Sequence, residues 1–375
     1  MRTIATIIAA VTLISGTCLA GVFSSRTLVV YRVGDGSTNL LSSGSPVFLD
    51  EYTTNGVLVQ SLAMPTNAAI GNYPLIAGGT APSEGFLSLS TNGRCIVLTG
   101  YGTNLGGAAL SGTAAASVPR VVGVVGYDGS VDTTTALGDF SSGGNPRSAV
   151  TTDGTNLWVA GTSSGSSGGV RFTARGGTNS TRLLSAAVDN ARQVGSFGGQ
   201  MYVSSGSSSN RIGTVGSGMP VVLTVFQNLS GISTNTSKSP YAFFLADLNG
   251  DGTNDTAYVA DDDSTSGGVL KYALVGDAWL ACGVAGTAGD AYRGVTGYTT
   301  GSSVTLFVTR KGGSGSTGGG ELAILTDSSG YNGTLSGSPS LLATAASKTA
   351  FRGVALAPSA PPSPPPRKGT MISVH

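Results

Sequence analysis

The sequence contains a single histidine, His375, which is the last residue of the chain. Histidine is the usual base of nucleophile triads and a common zinc ligand. A Ser-His-Asp triad, a histidine base and a histidine metal site are therefore excluded from the body of the protein.

Charged residues are also scarce. They make up 10% of the chain, and the formal net charge is +1. Binding to a nucleic-acid backbone or to anionic lipid requires clustered Lys and Arg that neutralise phosphates. The composition disfavours both, so we expect no nucleic-acid partner.

Cysteines and long apolar runs are rare after the first 20 residues. Only Cys95 and Cys282 occur beyond that point, too few for a disulfide scaffold. The repeat described below places them in opposite units, so we expect two unpaired, buried thiols. No later run approaches the ~20 apolar residues that a membrane-spanning helix needs, and we expect no membrane insertion.

The two ends of the chain differ in composition from the middle. Residues 1–20, MRTIATIIAAVTLISGTCLA, combine a basic residue, an apolar stretch and a small-residue cleavage site, which predicts a signal peptide and a secreted, extracellular protein. Residues 359–375 are rich in proline and predict a disordered, extended tail. A folded domain is expected over 21–358.

Glycine is abundant, with 59 residues, and it separates short runs rich in Val, Leu, Tyr and Phe. Such runs, bounded by Gly, Asn, Asp and Ser, are typical of β-strands and turns. No long segment keeps a helical period. The sequence therefore predicts an all-β protein.

One phrase recurs along the chain. AYRGVTG at 291–297 is nearly repeated as AFRGVAL at 350–356. The position of its arginine aligns at spacings of 45 to 63 residues with Glu84, Arg147, Arg192, Tyr241, Arg293 and Arg352. A second strand follows in which a bulky residue precedes valine, as in LWVA at 157–160, and a short fourth strand such as VVLTVF at 221–226 ends the unit. This period is typical of a four-stranded propeller blade.

The last unit contains only its first strand, and the missing strands occur at the other end of the chain. Segments 27–33, 46–54 and 56–65 have the character of a second, third and fourth strand without a first. We therefore predict a six-bladed β-propeller closed by pairing of the N-terminal strands with the C-terminal strand, which leaves only short, protected edges. A β-sandwich or a β-helix with coincidental spacing is the alternative.

Several longer phrases carry a resemblance to a family. These are FLDEYTTNGVLVQSLAMPT at 48–66, NPRSAVTTDGTNLWVAG at 145–161, SPYAFF at 239–244 and AYRG at 291–294. The domain resembles a group of secreted bacterial and algal β-propeller-like proteins of unassigned function that carry the same phrases. The resemblance covers nearly the full domain, and it implies no particular activity.

The repeated position predicts a binding site. The first strand of each blade lines the channel of a propeller, so these residues should converge at one mouth of the channel. Four guanidinium groups in one small opening repel each other unless an anion lies among them, and arginine binds carboxylate or phosphate through paired N–H groups. The predicted ligand-binding residues are Glu84, Arg147, Arg192, Tyr241, Arg293 and Arg352. The alternative is that they bond backbone carbonyls and fill a polar channel.

A second motif, DLNGDGTND at 247–255, predicts a metal site. Carboxylate and amide oxygens of Asp247, Asn249, Asp251 and Asp255 can wrap a calcium ion around the turn at Gly252. The spacing resembles the calcium-binding hairpin loops of integrin-type propeller blades. We predict one structural Ca²⁺ on the side of the disc opposite the arginines, with a plain hairpin containing Asn-Gly and Asp-Gly turns as the alternative.

Three functions follow from these features. The first is a secreted, monomeric, non-enzymatic propeller that binds an anionic extracellular glycan or matrix component. The second is a structural surface module without a small ligand. The third is a hydrolase or lyase on acidic sugars, because sialidases are six-bladed propellers that use an arginine cluster with Tyr, Glu and Asp. Arg147, Arg293 and Arg352 with Glu84, Tyr241 and Asp261 superficially resemble that site, but the Ser-x-Asp-x-Gly-x-Thr-Trp turns of the sialidases are missing.

Overall fold

The computed structural model describes residues 21–235 and 237–362. The predicted signal peptide and residues 363–375 of the predicted tail lie outside these ranges. Within them the chain forms β-strands and two short 3-10 turns, η1 (Leu110–Gly112) and η2 (Ala186–Val188), which confirms the all-β prediction.

The strands divide along the chain into successive groups. The first five are β1 (Leu28–Val33), β2 (Gly44–Ser45), β3 (Val47–Tyr52), β4 (Leu58–Ala63) and β5 (Ala77–Gly78). They are followed by β6 (Ser88–Leu89), β7 (Cys95–Tyr101), β8 (Arg120–Gly126), β9 (Val131–Leu137), β10 (Pro146–Thr151), β11 (Asn156–Gly161), β12 (Gly169–Ala174) and β13 (Thr181–Arg182). Next are β14 (Ala191–Phe197), β15 (Gln200–Ser205), β16 (Ile212–Val215), β17 (Phe226–Asn228), β18 (Pro240–Ala246), β19 (Thr256–Asp261), β20 (Gly268–Val275) and β21 (Ala278–Ala285). The last are β22 (Gly294–Thr300), β23 (Ser303–Arg310), β24 (Gly318–Gly319), β25 (Glu321–Asp327), β26 (Ser340–Thr344) and β27 (Thr349–Leu356).

Six sheets form the blades of a β-propeller. From the inner to the outer edge, blade 1 is β27-β1-β3-β4, blade 2 is β6-β7-β8-β9, blade 3 is β10-β11-β12-β13, blade 4 is β14-β15-β16-β17, blade 5 is β18-β19-β20-β21 and blade 6 is β22-β23-β25-β26. Each inner strand contacts the inner strand of the next blade, in the order β6, β10, β14, β18, β22, β27 and back to β6. The six-bladed propeller is therefore confirmed.

The predicted closure of the ring is confirmed as well. Strand β27 pairs antiparallel with β1, with Leu28 opposite Leu356. The N–H of Gly353 in β27 donates to the carbonyl of Gly85, 3.0 Å away, which joins blade 1 to blade 2. A Cβ on Gly353 would stand 2.5 Å from that oxygen. This explains why the recurring phrase has glycine after its arginine here.

Four of the six residues at the repeated position sit at β-bulges, and Glu84 and Arg293 do not. The register between first and second strands shifts around Arg147, around Arg192 and around Tyr241, and the shift in the closing blade falls opposite Arg352. A bulge re-aims the side chain of the extra residue and bends the strand. In this protein the bulges lie where the inner strands begin, at one end of the channel.

Apolar side chains fill the wedges between blades. Trp158, the bulky residue before valine in β11, packs on Phe172 with ring centres 5.5 Å apart and belongs to a buried cluster that includes Leu183 and Met201 of the next blade. The bulky residue of the predicted second-strand signature is thus part of the core. Cys95 and Cys282 are buried and free, as predicted.

Blades 5 and 6 share a buried ion pair. Lys271 of β20 is fully buried, and its Nζ lies 2.8 Å from Oδ2 of Asp327 at the end of β25. The hydroxyl of Tyr258 donates to the same carboxylate at 2.6 Å. Lys271 also donates to the carbonyl of Gly330 and to Ser329. The cluster joins the two blades through the ammonium group of Lys271, which has three hydrogen-bonding partners.

One predicted strand is wrong. The fourth strand of blade 4 is β17, whereas the expected segment 221–226 is largely exposed and mostly outside it. This segment bends toward blade 3, where the carbonyl of Pro220 accepts from Trp158 at 2.6 Å and the N–H of Thr224 donates to Leu183. Backbone bonds to the neighbouring blade override the β propensity of its valines.

Candidate functional site

The predicted ligand-binding residues gather at one end of the channel. The guanidinium carbons of Arg192 and Arg293 lie 4.0 and 5.4 Å from the ring centre of Tyr241. Glu84 is close enough to Arg147 and Arg352 to influence the pKa of each. We call this end of the propeller the arginine face.

An aromatic contact crosses the channel just inside the arginine face. Phe86 of blade 2 and Tyr241 of blade 5 have ring centres 5.7 Å apart, and both are buried. Blades 2 and 5 stand opposite each other in a ring of six, so this contact crosses the axis. We call the pair the aromatic plug.

Arg147 and Arg192 bond to the next blade. Nη1 of Arg147 donates to Oδ1 of Asn190 at 2.5 Å and to the carbonyl of Ala191 at 3.2 Å. Nη1 of Arg192 donates to Ser239 and to the carbonyl of Pro240, at 2.9 and 2.8 Å. Each arginine therefore links its own inner strand to the start of the following one.

Arg293 forms an ion pair, whereas Arg352 bonds only to backbone carbonyls. Arg293 pairs with Asp262 at 2.9 Å and donates to the carbonyl of Gly312. Arg352 donates to the carbonyls of Gly313 and Gly79. Burial lowers the pKa of Arg352 to about 10, with nearby Arg293 acting in the same direction. Arg293 thus links blades 5 and 6, and Arg352 links the loop after β23 to the segment before blade 2.

Glu84 is buried in a network of its own. Its carboxylate accepts from the N–H of Gly78 at 3.0 Å, from the hydroxyl of Tyr101 at 2.6 Å and from Nδ2 of Asn145 at 2.5 Å. Burial raises the pKa of Glu84, although these bonds and nearby Arg352 act in the opposite direction. Glu84 therefore ties the segment before blade 2 to the start of blade 3.

Two residues of the sialidase-like hypothesis, Asp261 and Tyr241, are occupied by contacts with other groups of the protein. Asp261 is buried, accepts from the N–H groups of Ser239 and Asp263, and has a pKa raised by burial. Tyr241 is covered by two arginines and the plug partner Phe86. Each group is engaged in contacts between neighbouring strands or blades.

Some arginine nitrogens lack a protein partner. Among the described residues, Nε of Arg147, of Arg192 and of Arg352 is buried and makes no hydrogen bond. Burial is the main cause that lowers the pKa of Arg147 to about 10, and the charge of Arg192 lowers it further. A buried donor without a partner is costly, so a ligand oxygen at these nitrogens would be stabilised.

The side chains of Asn190 and Arg192 pack against Gly206, in the loop between β15 and β16. The position that a Cβ on Gly206 would take lies 2.8 Å from Nδ2 of Asn190, and 3.2 and 3.4 Å from Nη2 and Nε of Arg192. Because Oδ1 of Asn190 accepts from Arg147, its amide N–H groups point away from that arginine. We call this arrangement the Gly206 cradle.

Sequence reasoning missed Asn190 and Gly206. A signal for the asparagine exists, since Asn145 and Asn190 each stand two residues before an arginine of the repeated position. The two asparagines have different hydrogen-bond partners, because Asn145 donates to Glu84 whereas Asn190 accepts from Arg147. No local pattern marks Gly206 among so many glycines.

The predicted calcium loop joins β18 to β19, at the end of the disc opposite the arginine face. Asp247 accepts from the N–H groups of Gly250 and Gly252, and Asp251 accepts from Thr253. Asp255 is buried and uses both oxygens on the N–H groups of Leu248 and Asn249. Over the described residues, no group of three or more His, Cys, Asp and Glu side chains is arranged to hold a metal ion.

Comparison with known proteins adds the fold alone. No family model and no curated protein matches the sequence. A putative 6-phosphogluconolactonase from Bacteroides fragilis is 11% identical, with a TM-score of 0.43 over 84% of this chain and 82% of that chain. A protein from Lactobacillus plantarum is 12% identical, with a TM-score of 0.45 over 88% and 85%. An α-L-arabinanase from Penicillium chrysogenum, complexed with arabinobiose, is 12% identical, with a TM-score of 0.46 over 80% and 98%.

Similarity at this level carries no argument about activity. In the part of the chain that the structure describes, no helix has the length and hydrophobicity needed to cross a membrane.

Proposed function

We propose that this protein is a secreted, non-enzymatic β-propeller that binds an anionic group of an extracellular glycan or matrix component at the Gly206 cradle. The observation that supports it most is that three N–H donor nitrogens, Nδ2 of Asn190 and Nη2 and Nε of Arg192, lie side by side against Gly206, and that Nε of Arg192 has no partner among the described residues. A carboxylate, sulfate or phosphate oxygen fits these donors. The Nε and Nη2 edge of arginine is the one that binds carboxylates side-on.

The charge balance of the arginine face supports the same proposal. Arg147 stands next to Arg192, and neither forms an ion pair with a carboxylate among the described residues. An anion at the cradle would offset the repulsion that lowers the pKa of Arg147. Two loops rich in Ser and Gly, at 162–169 and 205–210, lie at the same end of the disc and offer hydroxyl groups to a sugar.

The test displaces the donors of the cradle. Gly206 has no positive φ, so Gly206→Ala is compatible with the backbone dihedral angles, whereas its methyl group would stand 2.8 Å from Nδ2 of Asn190 and push the donor side chains out of position. Losing charge-assisted hydrogen bonds that contribute about 1.5–3 kcal/mol each should weaken binding of N-acetylneuraminate, D-glucuronate or sulfate by roughly 10- to 100-fold. Calorimetric titration of the wild-type and variant proteins measures this.

Gly165→Ala is the matched control, because it lies in the neighbouring loop of the arginine face and a Cβ there meets open space. Arg192→Lys keeps the charge and removes the paired N–H edge, so it should bind as weakly as Gly206→Ala. Equal affinity of wild-type and Gly206→Ala protein for all three anions would refute the cradle.

A structural module without a small ligand is the second candidate. The observation in its favour is that Arg147, Arg192, Arg293 and Arg352 all bond across or around blade boundaries. Under that function, anion binding is absent from the wild-type protein as well.

The third candidate is a hydrolase or lyase on acidic sugars, which would release product from a glycan that the propeller binds. A turnover assay on any bound glycan therefore separates this candidate from non-enzymatic binding.

Calcium binding stays a prediction of the sequence. If the ion binds, its stabilisation of the folded state should make the thermal midpoint higher in Ca²⁺ than in chelator. Asp247→Ala should abolish that difference. Asp153→Ala, in the corresponding turn of blade 3, should leave the difference in thermal midpoint unchanged. An unchanged midpoint in the wild-type protein would leave 247–255 as a plain hairpin. Secretion and the monomeric state also remain predictions.

A further inference from the structure

The channel on the far side of the aromatic plug contains an apolar cavity of about 180 Å³. All six blades contribute to its wall through an aliphatic or aromatic side chain of the inner strand or of the segment leading into it. These residues are Leu87, Val150, Phe197, Phe243, Val295 and Val354. The cavity is therefore a product of the closed ring and not of any one blade.

The size and lining of this cavity define what fits. An apolar cavity of ~150 Å³ accommodates one benzene molecule, so the space here suits a single aromatic ring or a branched aliphatic group. Polar atoms are few. Oγ of Ser196, which lines the wall, has no hydrogen-bond partner among the described residues, and Gln193 and Thr296 add one amide and one hydroxyl. An aromatic ring that binds in the cavity can therefore carry one or two polar atoms.

The cavity adjoins a wider groove of about 870 Å³ between blades 1 and 6, and the two share Leu89 and Leu356. The exposed lining of the groove is mostly apolar, but it includes the hydroxyl groups of Thr54 and Thr299, the side chain of Arg26 and the half-exposed ring of Tyr298. Hydroxyl groups beside an aromatic platform suit a hydroxylated molecule. The cavity thus opens next to a groove that offers an aromatic ring and hydrogen-bonding groups.

We propose that this end of the channel is a second binding site, for an amphiphilic ligand whose aromatic or branched aliphatic end enters the cavity while its hydroxylated body, such as a sugar, lies in the groove. The aromatic plug of Phe86 and Tyr241 separates it from the arginine face. The site is therefore independent of anion binding at the Gly206 cradle.

The experiment compares two ligands that share a sugar. Phenyl β-D-glucopyranoside should bind the wild-type protein with a Kd in the millimolar range or lower, and methyl β-D-glucopyranoside should bind at least 10-fold more weakly, because only the phenyl group fills the cavity. Saturation-transfer NMR and calorimetry measure both affinities. Equal affinities, or no binding of the phenyl glycoside at its solubility limit, would overturn the proposal.

Two variants fill the cavity from different blades. Thr296→Phe in β22 and Ser88→Phe in β6 each place a ring in the space and should reduce phenyl glycoside binding at least 10-fold. Thr214→Phe, in the third strand of blade 4, is the matched control and should bind like the wild type. Near-ultraviolet circular dichroism establishes that each variant folds. Unchanged binding in both folded filling variants would place the ligand elsewhere and overturn the proposal.

Neither filling variant should alter anion affinity at the arginine face. The Gly206→Ala variant should bind the phenyl glycoside as the wild type does. The two proposals can thus fail separately. A loss of phenyl glycoside binding in Gly206→Ala would show that the plug does not separate two sites, and it would overturn the second site as proposed.

Discussion

A chain that ends at Ala346 should not form the propeller. It lacks all of β27, the inner strand of blade 1, which pairs with β1 and contacts the inner strands of blades 2 and 6. Phe351 and Val354 are lost from a buried cluster that includes Leu28 and Val30. Without β27 the ring has an open inner edge at its centre, and no other strand is available to cover it.

The control for this truncation is a chain that ends at Pro362. It keeps every strand and should match the full-length protein in near-ultraviolet circular dichroism, thermal midpoint and elution volume. The chain ending at Ala346 should lack a cooperative thermal transition. A cooperative transition within a few degrees of the full-length protein would contradict the role of β27. Adding residues 347–362 as a separate peptide should restore part of the signal if strand pairing is the cause.

Asp327→Ala should cost about 3–5 kcal/mol of unfolding free energy, because it leaves the ammonium group of Lys271 buried without a counter-charge. Lys271 has no access to water and no second carboxylate among its described partners. The hydroxyl of Tyr258 loses its acceptor in the same variant. Urea unfolding followed by tryptophan fluorescence measures the loss.

An apolar replacement of both partners separates the cost of an unpaired charge from the value of the pair. Lys271→Met with Asp327→Leu should recover more than half of the loss, since a buried ion pair is often no more stabilising than apolar residues of similar volume. Tyr258→Phe, which removes one hydrogen bond and keeps the pair, should cost only about 1 kcal/mol. A single-alanine loss below that of Tyr258→Phe would refute the prediction.

The same cluster predicts a dependence of stability on pH. Burial alone would raise the pKa of Asp327, but hydrogen bonds from Lys271, Ser329 and Tyr258 outweigh it and lower that pKa below 3.8. A carboxylate with a lowered pKa in the folded state stabilises the protein above its unfolded pKa, and that stability disappears as pH falls through the folded value. The wild-type advantage over the double apolar variant should therefore shrink below about pH 4.

The architecture could be predicted because each blade corresponds to one copy of a sequence repeat. The recurring phrase and the complementary strands at 27–65 and 350–356 fixed both the number of blades and the mode of closure, since each depends only on spacing along the chain. The two free thiols followed from the same repeat. The convergence of the repeated position at one end of the channel is also a property of the repeat and needed no side-chain detail.

The details of the candidate site could not be predicted in the same way. Whether an arginine faces a ligand or a carbonyl of the next blade depends on bulges and on loops that differ between units. Arg293 pairs with Asp262, whereas Arg192 retains unbonded nitrogens beside Gly206. The aromatic plug joins residues from opposite blades, and the bent segment before β17 follows bonds to blade 3. These are contacts between blades, and the sequence pattern of a single repeat does not predict them.

Closure by β27 also sets the timing of folding. During synthesis, β1, β3 and β4 are made before the other blades, yet the inner strand of their sheet, β27, is the last of the described strands to be made. The pairing of Leu28 with Leu356 is a contact between nearly opposite ends of the chain, and such non-local contacts make folding slow. A nascent chain therefore cannot complete the ring while its last strand is still on the ribosome, and the step that completes the disc is the ordering of a single strand at its centre.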